Sequence, residues 1–322
     1  MQARMKITTE GCYYHLFNRI SGVKGEHPFT DVDKEYGFRL LQNLTEYFLV
    51  EVISAAWMGN HFHLVVYAPG PDELPPLETI AKRHNDYYEN MRKTFKYGPR
   101  LPQINVRNKK KCREIGCRMI DISRFMAAYQ QRFTQVFNET RERVGQLWSG
   151  RFKSVILDKL NALEACVLYV ELNPVRSHLV DDAADYRFTT WGRYCGSGKH
   201  MFQDNFIKHL KPHAYPGDKE ISDNDLYAFF KGEIARITAS ESDKNSEEIH
   251  EAKAVARRKE SMPIRFLRRT RHFTDGAILG SKIYIREIGS RFGDPNQVNK
   301  KQLARGKSPN GPTIYSFRKL QL

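Results

Sequence analysis

No stretch of this 322-residue chain approaches the roughly 20 consecutive apolar residues that span a bilayer, so no membrane-spanning helix is expected. The opening residues, MQARMKITTEGCYY, lack the apolar core of a secretory signal, and a cytoplasmic location is the expectation that follows. Cysteine is sparse and odd in number: Cys12, Cys112, Cys117, Cys166 and Cys195 are scattered, which argues against a disulfide framework. Cys112 and Cys117 are spaced loosely like half a zinc site, yet no second Cys or His pair stands at a matching distance. Acidic residues are in deficit, 37 Asp and Glu against 52 Lys and Arg, a formal net charge of +15. An excess of that size favours a polyanionic partner, nucleic acid ahead of an anionic membrane surface. No internal repeat is apparent.

What is present reads as alternating strands and helices. Residues 11–20, GCYYHLFNRI, alternate large and β-prone side chains and predict a first strand, with Tyr13, His15, Phe17 and Arg19 on one side. Between Asp33 and Leu49 the apolar residues Tyr36, Leu40, Leu41, Leu44 and Phe48 recur near every 3.6 positions, the mark of an amphipathic helix. Two apolar runs follow, 50–59 and 61–69, joined by Gly59-Asn60, a dipeptide suited to a tight hairpin turn. Residues 70–120 differ in kind, with Pro-rich ends, a charged helical stretch and the basic run KKKCR, and they read as an insertion. Asp121 opens a long helix whose stripe of Ile122, Phe125, Met126, Tyr129, Phe133, Val136 and Phe137 is most simply core. A last strand at about 151–158 precedes a helix that begins at an Asn161/Glu164 capping box and is ended by Pro174.

After Trp191 the texture loosens, and residues 196–260 read as a helical, polar linker region. Residues 261–322 read as a small basic module: from Glu251 to Leu322 there are 17 Lys and Arg against 5 Asp and Glu. Most of the formal excess thus sits in a C-terminal extension, whose removal near residue 250 is expected to weaken nucleic-acid binding while the rest still folds.

The stretch MGNHFHLVVY carries the chemistry. Side chains alternate along a strand, so His61 and His63 project side by side from one face, while Phe62 and Leu64 occupy the other. Such a pair is either packed and structural or half of a ligand set. On the helix after residue 161, Tyr169 and Asn173 are four residues apart and lie one turn apart on one face.

These segments together resemble a known family. His61-Phe62-His63 has the form His-hydrophobic-His, and Tyr169-Val170-Glu171-Leu172-Asn173-Pro174-Val175-Arg176 resembles the tyrosine segment of single-tyrosine HUH transposases, particularly the REP-associated tyrosine transposases. Tyr14-His15-Leu16-Phe17-Asn18-Arg19 looks like that family's opening strand, and Gly145-Gln146-Leu147-Trp148-Ser149-Gly150-Arg151-Phe152-Lys153-Ser154 looks like its Gly-x-Leu-Trp-x-x-Arg-Phe element. The likeness covers about residues 11–191; the insertion at 70–120 and the extension beyond 250 depart from it.

The resemblance implies an α+β fold, a ferredoxin/RRM-like antiparallel sheet with helices in a catalytic domain of residues 1–195. It implies metal-assisted cleavage of single-stranded, hairpin-bearing DNA, and a nucleoid-associated protein. His61 and His63 would hold Mg²⁺ or Mn²⁺ with Asn173 as third ligand, and Tyr169 would attack phosphorus. Asn18, Arg19, Arg151, Lys153 and Arg176, within the matching segments, would contact DNA. Monomer and homodimer both remain open. Two rival readings stand beside this one: a non-catalytic protein that binds structured DNA or RNA through the basic tail, and phosphoester hydrolysis that keeps the histidines but not the tyrosine.

Overall fold

A computed structural model describes residues 5–22, 25–94, 102–159, 161–214, 222–242, 271–275, 277–292, 304–306 and 314–317. Strand β1 (Cys12–Arg19) is followed by helix α1 (Asp31–Tyr47) and the hairpin of β2 (Glu51–Trp57) and β3 (His61–Ala68). The insertion supplies α2 (Leu77–Thr94) and α3 (Lys109–Met119), and α4 (Ile122–Glu139) then leads to β4 (Lys153–Leu157). The strand order β2-β3-β1-β4, each neighbouring pair antiparallel, is that of a ferredoxin-like sheet, as expected.

Each element has a local cause. Thr30 and Asp33 form a capping box at the start of α1, and Asp121 accepts from the first free N–H groups of α4. Gly37, in the middle of α1, is a packing glycine: a Cβ there would lie 2.3 Å from the Trp57 indole. That indole donates to the Tyr129 hydroxyl at 2.8 Å, which donates to the Gly37 carbonyl at 3.2 Å. Tyr129 is therefore core, as its apolar stripe predicts. Gly59 needs no left-handed backbone; it is small because a Cβ would come within 2.6 Å of the His27 ring.

The sheet separates two cores. On one side α1 and α4 cover Tyr14, Leu16, Trp57, Phe62, Leu64 and Val66, and α2 and α3 extend that layer with Ile80, Tyr87, Ile115 and Met119. On the other side lies α5 (Asn161–Glu171) with Tyr13, Val65, Val155 and Leu157 beneath it. A register shift between Val52 and Ser54 turns two consecutive residues, Ile53 and Ser54, toward α5. Ser54 can then donate to the buried Glu171 carboxylate at 2.7 Å.

Three expectations need correction. Pro174 does not end its helix: α5 breaks at Leu172 and a further turn, α6 (Asn173–Arg176), follows with Pro174 in its first turn, where a missing N–H costs little. The Asn161 cap lies outside the described side chains. The described parts of 196–260 are helical but are not a linker, because α7 (Thr190–Ser197), α8 (Gln203–Ala214) and α9 (Asp223–Ser242) pack onto the α5 side through Trp191, Phe206, Leu210, Phe230 and Ile234. The stretch 243–260 lies outside the described residues.

The third concerns the C-terminal extension, which does not stand apart. It contributes α10 (Arg271–Thr274), β5 (Ile278–Gly280), α11 (Lys282–Ser290), β6 (Ala304–Gly306) and β7 (Ile314–Phe317). β5 pairs parallel with β4, Ile156 to Ile278 and Leu157 to Leu279, and β7 and β6 continue the sheet. The sheet is thus mixed beyond β4, and Phe273, Ile278, Leu279, Ile285 and Phe317 belong to the two cores. Removing the chain after residue 250 would strip a covered strand edge and part of both cores, so the expectation that the remainder folds unharmed does not hold.

Glu171 ties α5 to β2 and α7, accepting from Ser54 and from the Trp191 N–H at 2.8 Å. Burial pushes its carboxyl up to about 7 against the pull of those hydrogen bonds and one from Thr189. A carboxyl held higher in the folded chain gives stability that is complete below the unfolded value near 4.5 and lost as pH rises through 7, on the order of 3 kcal/mol in all. Glu171→Gln mimics the protonated form, so its thermal midpoint should exceed that of the native chain at pH 8 and match it at pH 5. Parallel curves across that range would show that Glu171 is ionised throughout.

Candidate active site

The antiparallel register places Arg19 opposite His61 and Phe17 opposite His63, while β4 sets Lys153 opposite Phe17. Alternation then aims Arg19, Phe17, His61, His63 and Lys153 at the face that α5 crosses. The C-terminal end of α5 carries Tyr169 over the pair, and the break at Leu172 turns Asn173 and Arg176 into the same space. The result is a cavity of about 560 Å³ lined by these residues together with Asn18, Ser149, Ser177, Thr274 and Asp275.

His61 is half-buried, and its Nδ1 lies 2.7 Å from the Asn60 side-chain oxygen; the Asn60 amide nitrogen donates to the Glu26 carbonyl, which fixes that amide's orientation. An amide oxygen accepts only, so His61 Nδ1 carries the proton and a neutral ring leaves its lone pair on Nε2. The ring is neutral: burial first, then the charges of Arg19 and His27, lower its pKa to about 4 against a hydrogen-bonding contribution from Asn173. His63, buried beside it with ring centroids 5.0 Å apart and planes at 88°, is lowered well below the usual range by burial, His15, His61 and Arg176.

Tyr169 is 4% exposed and stacks on Phe273, centroids 4.4 Å apart and planes at 9°. It meets His63 edge-on at 5.7 Å, and the Arg176 guanidinium lies 5.0 Å from its ring centroid. Burial pushes the phenol up to about 12, while Arg176 and the Asn173 side chain pull the other way. The hydroxyl is therefore protonated at neutral pH and needs electrostatic help to become a nucleophile. Asn173 is buried and accepts a hydrogen bond from Ser177 Oγ at 3.4 Å. The helix break leaves the Tyr169 carbonyl to Arg176, which donates to it at 3.0 Å and is thereby held over the ring.

Of the residues singled out by sequence, His61, His63, Tyr169, Asn173, Arg19, Lys153 and Arg176 meet in this cavity. Arg151 is exposed and does not line it. Asn18 does line it, and its amide is oriented by backbone, donating to the Gly150 carbonyl at 2.9 Å and accepting from the Arg19 N–H at 2.9 Å, which leaves one N–H and one oxygen lone pair for a further partner. Sequence reasoning missed His15, Phe273, Thr274 and Asp275. Alternation alone signals His15, which shares a face with Phe17 and Arg19; nothing in the chain signals the other three, more than a hundred residues beyond β4.

His61, His63 and Asn173 are a mixed nitrogen and oxygen set with uncharged imidazoles, and such donors fit a divalent cation. Among the described residues no three His, Cys, Asp or Glu side chains converge on a metal position. Cys112 is buried and donates weakly to the Asn105 carbonyl, whereas Cys117 is exposed. Three cations, Arg19, Lys153 and Arg176, against one carboxylate, Asp275, make the cleft attractive to a polyanion.

No protein-family model matches the sequence, and no curated protein does. Among solved structures, one of a REP-associated tyrosine transposase bound to a REP hairpin is similar with a TM-score of 0.40 and 13% identity, over 69% of this chain and 96% of that one. No helix among the described residues is long and apolar enough to cross a membrane.

A ring whose pKa burial has lowered to about 4 does not titrate near its ordinary value. In the metal-free protein, the His61 ring-proton resonance should stay fixed from pH 8 to pH 5.5 and move only as pH approaches 4. A midpoint near 6.5 would mean that solvent reaches the ring and that the cleft is more open than described.

Proposed function

We propose that this protein is a metal-dependent endonuclease and strand transferase of single-stranded DNA, transposase-like in its chemistry, acting through a covalent bond to Tyr169. One observation supports this reading above the rest: a buried tyrosine shares one cation-lined cleft with two uncharged imidazoles and an amide. A purely binding surface has no use for that conjunction.

His61, His63 and Asn173 would hold Mg²⁺ or Mn²⁺, which when bound supplies positive charge where the phosphoryl oxygens gain negative charge. Tyr169 Oη would bond to phosphorus while the bond from phosphorus to the 3′-oxygen breaks. The phenolic proton passes to solvent, the departing 3′-oxygen takes one up, and a 5′-phosphotyrosine and a free 3′-hydroxyl remain. The covalent link conserves the phosphoester for rejoining. Arg176 favours the phenolate and draws the phosphate toward it, and stacking on Phe273 restricts the ring to one approach. Arg19 and Lys153, at the open rim, would pair with flanking phosphates. Hairpin-bearing strands are the substrates that the motif resemblance implies.

Incubation with a labelled single-stranded hairpin and Mn²⁺ should yield a covalent protein–DNA adduct. Tyr169→Phe should abolish it while DNA affinity changes by less than about twofold, since only the hydroxyl is lost. His61→Ala and His63→Ala should each slow cleavage by about 10²-fold or more, the scale of losing an electrostatic group at the reacting phosphate. Full adduct from Tyr169→Phe removes the assignment; cleavage without any adduct points to direct hydrolysis, and binding without cleavage to a binding protein.

A further inference from the structure

The C-terminal extension reaches the centre of the cleft through one buried histidine. His15, wholly buried on β1, is a diagonal neighbour of His63: it pairs with Val65, while His63 pairs with Phe17. Its Nε2 lies 2.9 Å from His63 Nδ1, and the two rings are close to coplanar at 20°, the arrangement of an in-plane hydrogen bond. On its other side, His15 Nδ1 lies 2.9 Å from the main-chain carbonyl of Phe273. The same Phe273 packs its ring on Tyr169.

The protons in this chain of contacts can be placed by elimination. A carbonyl oxygen accepts and never donates, so the proton of the outer bond sits on His15 Nδ1. His15 is wholly buried between a carbonyl and a second imidazole, with no carboxylate among the described residues beside it to favour a charge, so the ring is neutral and keeps a lone pair on Nε2. That lone pair must receive a proton from His63 Nδ1, since two lone pairs 2.9 Å apart would repel. Neutral His63 then carries its remaining lone pair on Nε2. The alternative tautomer would put the hydrogen on Nε2, which would then repel a cation.

We infer that the Phe273 carbonyl, acting through His15, sets the tautomer in which His63 can ligate a divalent cation, making His15 a positioning residue and Phe273 its anchor in the C-terminal extension. The inference rests on the metal-assisted reaction proposed above. It gives the buried His15 a reason to be histidine: only a side chain that donates at one edge and accepts at the other can relay orientation from a backbone carbonyl to a ligand. Second-shell partners of this kind typically change metal affinity by about 10–100-fold.

Two substitutions in the full-length chain test it. His15→Phe keeps an aromatic ring of similar size and removes the acceptor; His15→Gln keeps an acceptor and a donor on one side chain. Nitrogen-15 NMR of the metal-free native protein should find the His63 proton on Nδ1, and His15→Phe should shift it partly or wholly to Nε2. Calorimetric Mn²⁺ affinity should fall about 10–100-fold in His15→Phe and stay within about threefold in His15→Gln. A native His63 proton on Nε2, or unaltered Mn²⁺ affinity in His15→Phe, overturns the inference. If the native protein binds no Mn²⁺ while the Nδ1 proton is found and moves in His15→Phe, the relay stands and the metal reading fails. Should His15→Phe not fold, the native tautomer and His15→Gln still decide.

Discussion

The register of β1 against β3 is the constraint on which the rest depends. Successive side chains along β3 face opposite layers, so Phe62, Leu64 and Val66 enter the aromatic core under α1 and α4 while His61, His63 and Val65 face α5. A slip of one residue would exchange the two sets. Phe62 packs against Trp57, Tyr129 and Trp148, and each large apolar side chain turned out to water would cost roughly 1.5–3 kcal/mol. The imidazoles would meanwhile enter a core with no partners for their ring nitrogens. The aromatic layer therefore fixes the register, and the register fixes where the histidines point.

The same burial that orients the histidines keeps them uncharged, which separates this cleft from an ordinary basic groove. Arg19, Lys153 and Arg176 supply positive charge to the cleft, and His61 and His63 supply lone pairs beside it. Tyr169 completes the division of labour. Burial raises its phenol above the ordinary tyrosine value, and the Arg176 guanidinium over the ring works against that rise. The helix break before Pro174 permits this crowding, because it swings Asn173 off the axis of α5 and gives Arg176 a backbone carbonyl to hold.

Much of this was legible in the chain, and the exceptions have physical causes. Period-two alternation placed His61 and His63 on one face, and the stripe through Tyr129 marked it as core. Local patterns of this sort survive folding, because the partners lie within a few residues of each other. The loosened texture after Trp191 hid the packing of α8 and α9, since polar residues on a half-covered helix resemble those of a linker. Gly59 was legible as a turn residue for the wrong reason, the proximity of His27 being a tertiary fact. Asn18 lines the cleft as its motif implies, but the Gly150 and Arg19 backbone groups that orient its amide are revealed by no motif. β5 is only three residues long, and it joins β4 across more than a hundred positions by parallel pairing, which carries no turn signal.

That distant pairing changes how the basic extension must be understood. Its charge, 17 Lys and Arg against 5 Asp and Glu from residue 251 onward, invites the idea of a tail that binds DNA and can be cut away. Yet β5 covers the edge of β4, Phe273 stacks on the tyrosine and its carbonyl holds His15. Loss of DNA affinity in a truncated chain would therefore report damage to the cleft as much as loss of phosphate contacts. Charge reversal at exposed residues of the extension is the cleaner separation, since it leaves the strand pairing and Phe273 in place. A direct role for the extension in binding DNA would then appear as a flatter dependence of affinity on salt, with the cleft intact, because each phosphate contact removed lowers the slope of log K against log salt by roughly 0.7 on a single strand. A cleft assembled partly from sequence this remote also explains why the compact motif set reads as complete on its own: the motifs carry the side chains at the centre of the cleft, and the extension supplies Phe273, which packs on Tyr169 and accepts from His15.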